Sequence, residues 1–275
     1  MIMDEPTKRK NRVTIKDVAR AADVSIATVS YVLNNAPGHT ISEETRKKVL
    51  QFANILGYEC NVMARYLATG KTNSVAAVVS DVAPFASQYY LKLLTELSRL
   101  LARRNYELRL VDYDDALGPG SNCDAYITLS RSEREFRAFA DTKYVPVIAI
   151  DSEFDDFLFY RVNDDFSVMY EQTRTELGKD RIDLLTFRMP DECLDRAKSV
   201  FDGVTVVDSL ASLGDIPTDR GYATVSKSIS DNAPTSVSVK YVSESFALKA
   251  SAAADAAIKA INRVRCSDED HDIKV

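Results

Sequence analysis

The stretch VTIKDVARAADVSIATVSYVLNN, residues 13–35, decides how the first part of the chain folds. Thr14 stands where a helix wants its N-cap, and behind it Ile15, Val18, Ala19 and Ala22 recur at the i, i+3, i+4, i+7 spacing of one buried face. Asp23 and Val24 make a tight connection, and Ser25 offers an oxygen to the free N–H groups of a second helix. In that helix Val29, Val32 and Leu33 form the inward stripe. This leaves Ala27, Thr28, Ser30, Tyr31 and Asn34 facing out, with Ile26 at the margin.

A solvent-facing helix normally carries Lys and Glu, and this one carries small and hydroxylic side chains instead. Two helices joined by a short turn match the helix-turn-helix unit, whose second helix enters the DNA major groove. A groove about 12 Å wide admits a helix when its leading side chains are small or are themselves readers of bases. Thr28, Ser30 and Asn34 suit phosphates, Ile26 and Ala27 suit thymine methyls, and Tyr31 reaches a base edge or a phosphate. The bland alternative is a small helical cap on an α/β enzyme.

Charge supports a polyanion at this end. The whole chain carries a net charge of -6, but residues 1–72 hold 11 Lys and Arg against 7 Asp and Glu, and the acidic excess lies in the rest. The arm KRKNR, residues 8–12, adds to the basic head.

A third helix starts at Ser42, with Glu43 and Glu44 in its first turn, and is expected to bury Val49, Leu50, Ala53 and Leu56 before Gly57 ends it. VMARYLATGKTNS follows as a linker with helical tendency, too short to hold a helix in water by itself. From Ser74 strands and helices alternate. SVAAVVS, YELRLVDY, AYITLS, VPVIAID, FLFYRV, RIDLLTF, VTVVDS and PTSVSVKYV read as strands. Between them lie a helix with Leu91, Leu94, Leu97 and Leu101 on one side, helices over residues 165–177 and across DECLDRAKSVF, and the closing alanine-rich helix SFALKASAAADAAIKAINRV. Such alternation predicts parallel α/β sheets.

Several classes are disfavoured. The four cysteines make no CxxC pair and there are two histidines, so neither a zinc site nor a disulfide framework is signalled. No Gly-rich phosphate loop or nucleophile motif points to catalysis or to a cofactor. The N-terminal segment lacks the apolar run of a secretory signal, and no stretch reaches the length of a membrane span, so a cytoplasmic protein is expected.

VTIKDVARAADVSIATVSYVLNN, followed by ISEETRKKVLQFANILGYECNVMARYLATGKTNSVAAVVSD, resembles the amino-terminal region of the lactose-repressor (LacI/GalR) family of bacterial transcription regulators over residues 13–81. The resemblance implies a homodimer on a double-stranded DNA operator and a hinge helix over Asn61 to Ala68. Within it Asn61 and Ala64 lie on DNA, and a leucine matching Leu67 wedges into the minor groove at the operator's centre, as a marginal helix that folds on DNA would. Thr14, Ser25, Ile26, Ala27, Thr28, Ser30, Tyr31 and Asn34 complete the implied DNA contacts. Cys60 departs from the family's usual proline, and Tyr31 from a frequent arginine.

The fold implied is an all-α helix-turn-helix head on an α/β core of two Rossmann-like subdomains, of the periplasmic-binding-protein type but shortened. The expected boundaries are 1–60 for the head, 61–73 for hinge and linker, and 74–275 for the core, with 74–161 plus 236–265 in one subdomain and 162–235 in the other. A small effector, a sugar or nucleoside, is expected in the cleft between them. RVNDDFS resembles the family's ligand segment and makes Asp164 the candidate carboxylate, with Asp165 beside it; a helix N-cap is the other reading of Asp164. The family's ligand-gripping arginine has no clear counterpart, because Arg188 and Arg196 both lack the glycine that follows it; Arg188 is retained as the candidate. A regulator without a sugar effector, and a binding protein or enzyme on the same α/β fold, are the competing readings.

Overall fold

The computed structural model describes residues 13–33, 40–58, 70–80, 83, 85–118, 122–214, 216–264 and 271–275. By internal contacts the chain divides into two compact units, Met1–Gly70 and Lys71–Val275.

The first unit contains α1 (Ile15–Ala22), α2 (Ile26–Leu33) and α3 (Glu43–Ile55). At the start of α1 the Thr14 N–H and hydroxyl both donate to Asp17, at 2.9 and 2.7 Å. Asp23, at φ 52°, turns the chain, and Ser25 accepts from the Thr28 N–H at 3.0 Å. Val18, Ala22, Val29, Val32, Val49 and Ala53 close the core among the three helices. Leu50, expected inside, is 48% exposed. Val49, Phe52, Ala53 and Leu56 hold the i, i+3, i+4, i+7 positions, which turns Leu50 away.

The second unit holds two parallel sheets. The first comprises β1 (Ser74–Val79), β2 (Glu107–Asp112), β3 (Ala125–Leu129), β4 (Val147–Ile150), β5 (Tyr160–Asn163) and β10 (Asp272–Lys274), in the order β10-β5-β4-β3-β1-β2. The second comprises β6 (Ile182–Thr186), β7 (Gly203–Val206), β8 (Gly221–Thr224) and β9 (Ser238–Tyr241), in the order β7-β6-β8-β9. Helices α4 (Ser87–Ala102), α5 (Tyr113–Ala116), α6 (Glu133–Ala140), α7 (Phe166–Leu177), α8 (Asp191–Lys198), α9 (Lys227–Asn232) and α10 (Ser245–Ile261) connect or cover them. β3 and β4 are buried on both faces, as inner parallel strands must be, and β2 at the edge is largely exposed.

Three differences from the sequence reading have local causes. The segment 236–265 divides: β9 pairs with β8 in the second sheet, from Gly221 opposite Ser238 to Thr224 opposite Tyr241, and α10 packs on α4 and the first sheet. β8 with α9, and the three-residue terminal β10, were not foreseen. On α4, Leu91 is 67% exposed, and the inner face is instead Ala86, Tyr90, Leu93, Leu97 and Leu101.

The two sheets share one apolar core. It runs from Val75, Ile127, Ile148 and Val162 through α4 and α10 to Ile182, Leu184 and Ala223. The buried alanines of α10, at 250, 253, 254, 256 and 257, let that helix lie close against α4.

Leu97→Ala should destabilise the second unit by about 2–5 kcal/mol, and Leu91→Ala by no more than about 0.5 kcal/mol. Urea unfolding of the two variants measures this, and equal losses would reverse the face assigned to α4.

Candidate nucleic-acid interface and cleft

The valine stripe Val29 and Val32 fixes which face of α2 is free. Ile26 is 45% exposed, Ala27 and Ser25 are exposed, and Thr28, Ser30 and Tyr31 are half-buried. The Ser25 oxygen serves as the helix cap, and its hydroxyl lies 2.8 Å from that of Thr28, so these two act as a pair. Thr14 is exposed at the head of α1. The face is thus apolar at its leading end and hydroxylic behind, with no acidic residue in the first turn of α2. Asn34, Asn61, Ala64 and Leu67 lie outside the described residues.

In the second unit the carboxyl ends of the parallel strands gather the polar groups, as α/β sheets require of a ligand crevice. Ser130 follows β3, Asp151 follows β4 and Asp164 follows β5; Ser130 and Asp151 adopt φ of 51° and 54°. From α10, Lys249 (1% exposed) reaches between the two aspartates. Its Nζ donates to Asp151 Oδ1, and to Asp164 Oδ2 at 2.6 Å. Ser245 Oγ donates to Asp164 Oδ1 at 2.6 Å, and the Tyr90 hydroxyl donates to Asp151 Oδ2 at 2.9 Å. The rings of Tyr89, Tyr90 and Phe187, with centroids 5.3–5.7 Å apart, fill the space beside the cluster.

Burial opposes the charge on Lys249, but the Asp151 and Asp164 carboxylates outweigh it and hold the ammonium well above the usual lysine value. Burial pushes the Asp151 carboxyl up, with Lys249 pulling the other way. Burial also raises the Tyr89 and Tyr90 hydroxyls, which stay protonated.

The ligand residues expected from sequence fare differently. Asp164 is 5% exposed and committed to Lys249 and Ser245. Asp165, and not Asp164, caps α7, accepting from the N–H groups of Ser167 and Val168 at 3.0 and 3.1 Å. Arg188 is exposed after β6, pairs with Asp191 at 3.2 Å, and lines a cavity of about 260 Å³ together with Ser80, Ser130, Arg131 and Tyr90. Arg196 is tied to Glu153. Among the described residues no cluster of three metal-ligating side chains exists, and no helix is long and apolar enough to cross a membrane.

Lys249, Asp151 and Arg131 went unnoticed in the sequence. Lys249 carried a signal, since it shares the buried stripe with Ala253 and Ala256 at i+4 and i+7. A lysine on an alanine face calls for a buried anion.

Lys249→Met should cost about 3–5 kcal/mol near pH 7.5, because two buried carboxylates lose their cation. The raised ammonium stabilises the fold at all pH values below about 10.4 and is lost only above that. The raised Asp151 carboxyl works in the opposite direction: as pH falls, the folded chain takes up a proton more readily than the unfolded one. The deficit of the variant should therefore shrink towards pH 5, as urea midpoints at the two pH values will show; an unchanged deficit would count against the cluster.

Comparison with known proteins bears on both units. Residues 14–61 match the model of "Bacterial regulatory proteins, lacI family". Over 101 residues, 37% of this chain and 29% of the relative, the chain is 41% identical to the HTH-type transcriptional regulator RegA of Clostridium acetobutylicum. It is 30% identical over 186 residues, 67% of this chain and 57% of the relative, to the uncharacterized HTH-type transcriptional regulator YvdE of Bacillus subtilis. In neither does the match span two thirds of the relative's own length. A crystal structure of the Lac repressor dimer bound to operator and the anti-inducer ONPF shares the fold, with a TM-score of 0.61 at 15% identity, over 96% of both chains. The amino-terminal head, residues 14–61, is thus similar to the lacI family of bacterial regulatory proteins.

Proposed function

We propose that this protein is a sequence-specific transcriptional regulator, a repressor that binds a palindromic operator as a homodimer in the cytoplasm and answers to a small metabolite held in its α/β core. The observation that carries the reading is α2, whose buried valines fix an exposed face of Ile26 and Ala27 with Thr28, Ser30 and Tyr31 beside it. Such a face suits a major groove and gives nothing to solubility. The family match over residues 14–61 supports it independently. Two copies would align two such helices on half-sites one helical turn apart. Leu67 is assigned the minor-groove wedge at the operator's centre and Tyr31 the choice of operator base.

The effector side of the reading rests on the cleft. Asp164, Arg196 and the aromatic trio are engaged within the protein; a cavity of about 260 Å³ lies at the ends of β1 and β3, and one of about 460 Å³ lies beside Asp164, Asp165 and Ser245.

The full chain should bind a palindromic duplex with a central CG step, and its affinity should fall steeply as salt rises. Undetectable or salt-insensitive binding would sink the reading. Ala27→Glu, at an exposed position, should leave stability within about 0.5 kcal/mol yet lower operator affinity at least tenfold. Leu67→Ala should remove specific affinity and spare non-specific binding, both readable by gel shift against specific and random duplexes.

A further inference from the structure

The order β10-β5-β4-β3-β1-β2 reverses direction between β1 and β3, because the chain runs from β1 outward to β2 and then returns to β3 on the other side. That reversal is where an open α/β sheet leaves a crevice beyond its strand ends. The 260 Å³ cavity lies there, bordered by Ser80 after β1, and by Ser130 and Arg131 after β3. Its volume falls just below the range of about 300–1,000 Å³ common for ligand pockets, which fits a molecule of a few carbons.

Arg131 on its wall is 7% exposed. The guanidinium lies 4.4 Å from the ring centre of Tyr113, and its Nε and Nη2 are buried with no hydrogen-bond acceptor among the described residues. Among the described residues the carboxylate paired with it is Glu135, whose Oε1 stands 4.0 Å from Nη1, beyond hydrogen-bond length. The other oxygen of Glu135 is occupied, accepting from the Ser132 N–H and hydroxyl at 3.1 and 2.7 Å. A buried guanidinium left this way is expensive, and an incoming anion relieves the cost. Across the cavity Arg188 offers a second cation; its pair with Asp191 is exposed on both sides and therefore weak and readily exchanged. Ser130 holds a left-handed backbone at φ 51° on the same wall, a strained conformation of the kind found at ligand clamps.

We infer that this cavity binds a small anionic metabolite bearing a carboxylate or a phosphate, with Arg131 as its principal cation and Arg188 as the second. The inference rests on the regulator reading above and names the chemical class of its effector. A planar guanidinium grips either anion in bidentate fashion, so the two share one recognition chemistry.

Thermal unfolding of the full chain in glycerol 3-phosphate, D-glycerate, glycerol, and sodium chloride at matched ionic strength tests it. One of the two anions should raise the melting temperature saturably, by about 5 °C or more at a hundredfold excess over Kd, while glycerol and chloride do not. The anion that acts tells phosphate from carboxylate. Arg131→Gln should abolish the shift, and the exposed Arg188→Gln should weaken binding several-fold, which keeps the test open if the first variant fails to fold. Stabilisation by glycerol alone, no shift with either anion, or unchanged anion affinity in Arg188→Gln would overturn the inference. Operator binding measured on the same preparation separates the cases: a chain that binds DNA and ignores anions loses only this inference, and one that fails to bind DNA loses the regulator reading.

Discussion

The ammonium of Lys249, held between Asp151 and Asp164, is the constraint around which the second unit is arranged. Helix α10 is mostly alanine on its buried side, and alanines slide past one another with little to choose between registers. A single buried lysine removes that freedom, because any displacement by one residue takes the charge away from both carboxylates. Buried ion pairs add little net stability over apolar packing, and they penalise misalignment heavily. Here the pairing ties α10 to the carboxyl ends of β4 and β5, and Tyr90 and Ser245 satisfy the remaining carboxylate oxygens, so the cluster closes on itself.

That closure shapes the cleft. With Asp164 spent on Lys249, Arg196 on Glu153, and Tyr89, Tyr90 and Phe187 packed alongside, the polar groups nearest the middle of the crevice all have partners within the protein. The two sheets are joined further by the Ser226 hydroxyl, which donates to the Phe85 carbonyl at 2.8 Å, and by their common apolar core. Space remains at the edge where β1 and β3 part, and beside Asp164, Asp165 and Ser245.

Legibility in the sequence followed the range of the interactions. The head could be read closely because its determinants are local: Thr14 and Ser25 cap within three residues, and the valine stripe repeats within two turns. Leu50 and Leu91 were misplaced because leucine is as acceptable to a helix's margin as to its core, and only the packing partner decides. The second unit was legible as alternating strands and helices. The site within it did not. Asp151, Asp164 and Lys249 are separated by up to 98 residues, and no spacing rule connects them. Asp164 and Asp165 look alike in sequence, and the backbone alone determines that Asp165 caps α7 while Asp164 turns inward.

The two buried cations of the second unit make an instructive contrast. Lys249 and Arg131 are both more than nine-tenths buried and both stand at the carboxyl ends of the first sheet's strands. Among the described residues Lys249 has two carboxylates at hydrogen-bond distance, and Arg131 has none, Glu135 standing 4.0 Å away. The same desolvation cost falls on each, so the same reasoning that explains the first leaves the second incomplete. Stacking on Tyr113 compensates part of the charge on Arg131, by about 0.5–2 kcal/mol, and satisfies none of its N–H groups. A structural cation is surrounded by the anions that justify its burial. A cation that is buried beside a cavity without them among the described residues has the electrostatics of a binding site for an anion.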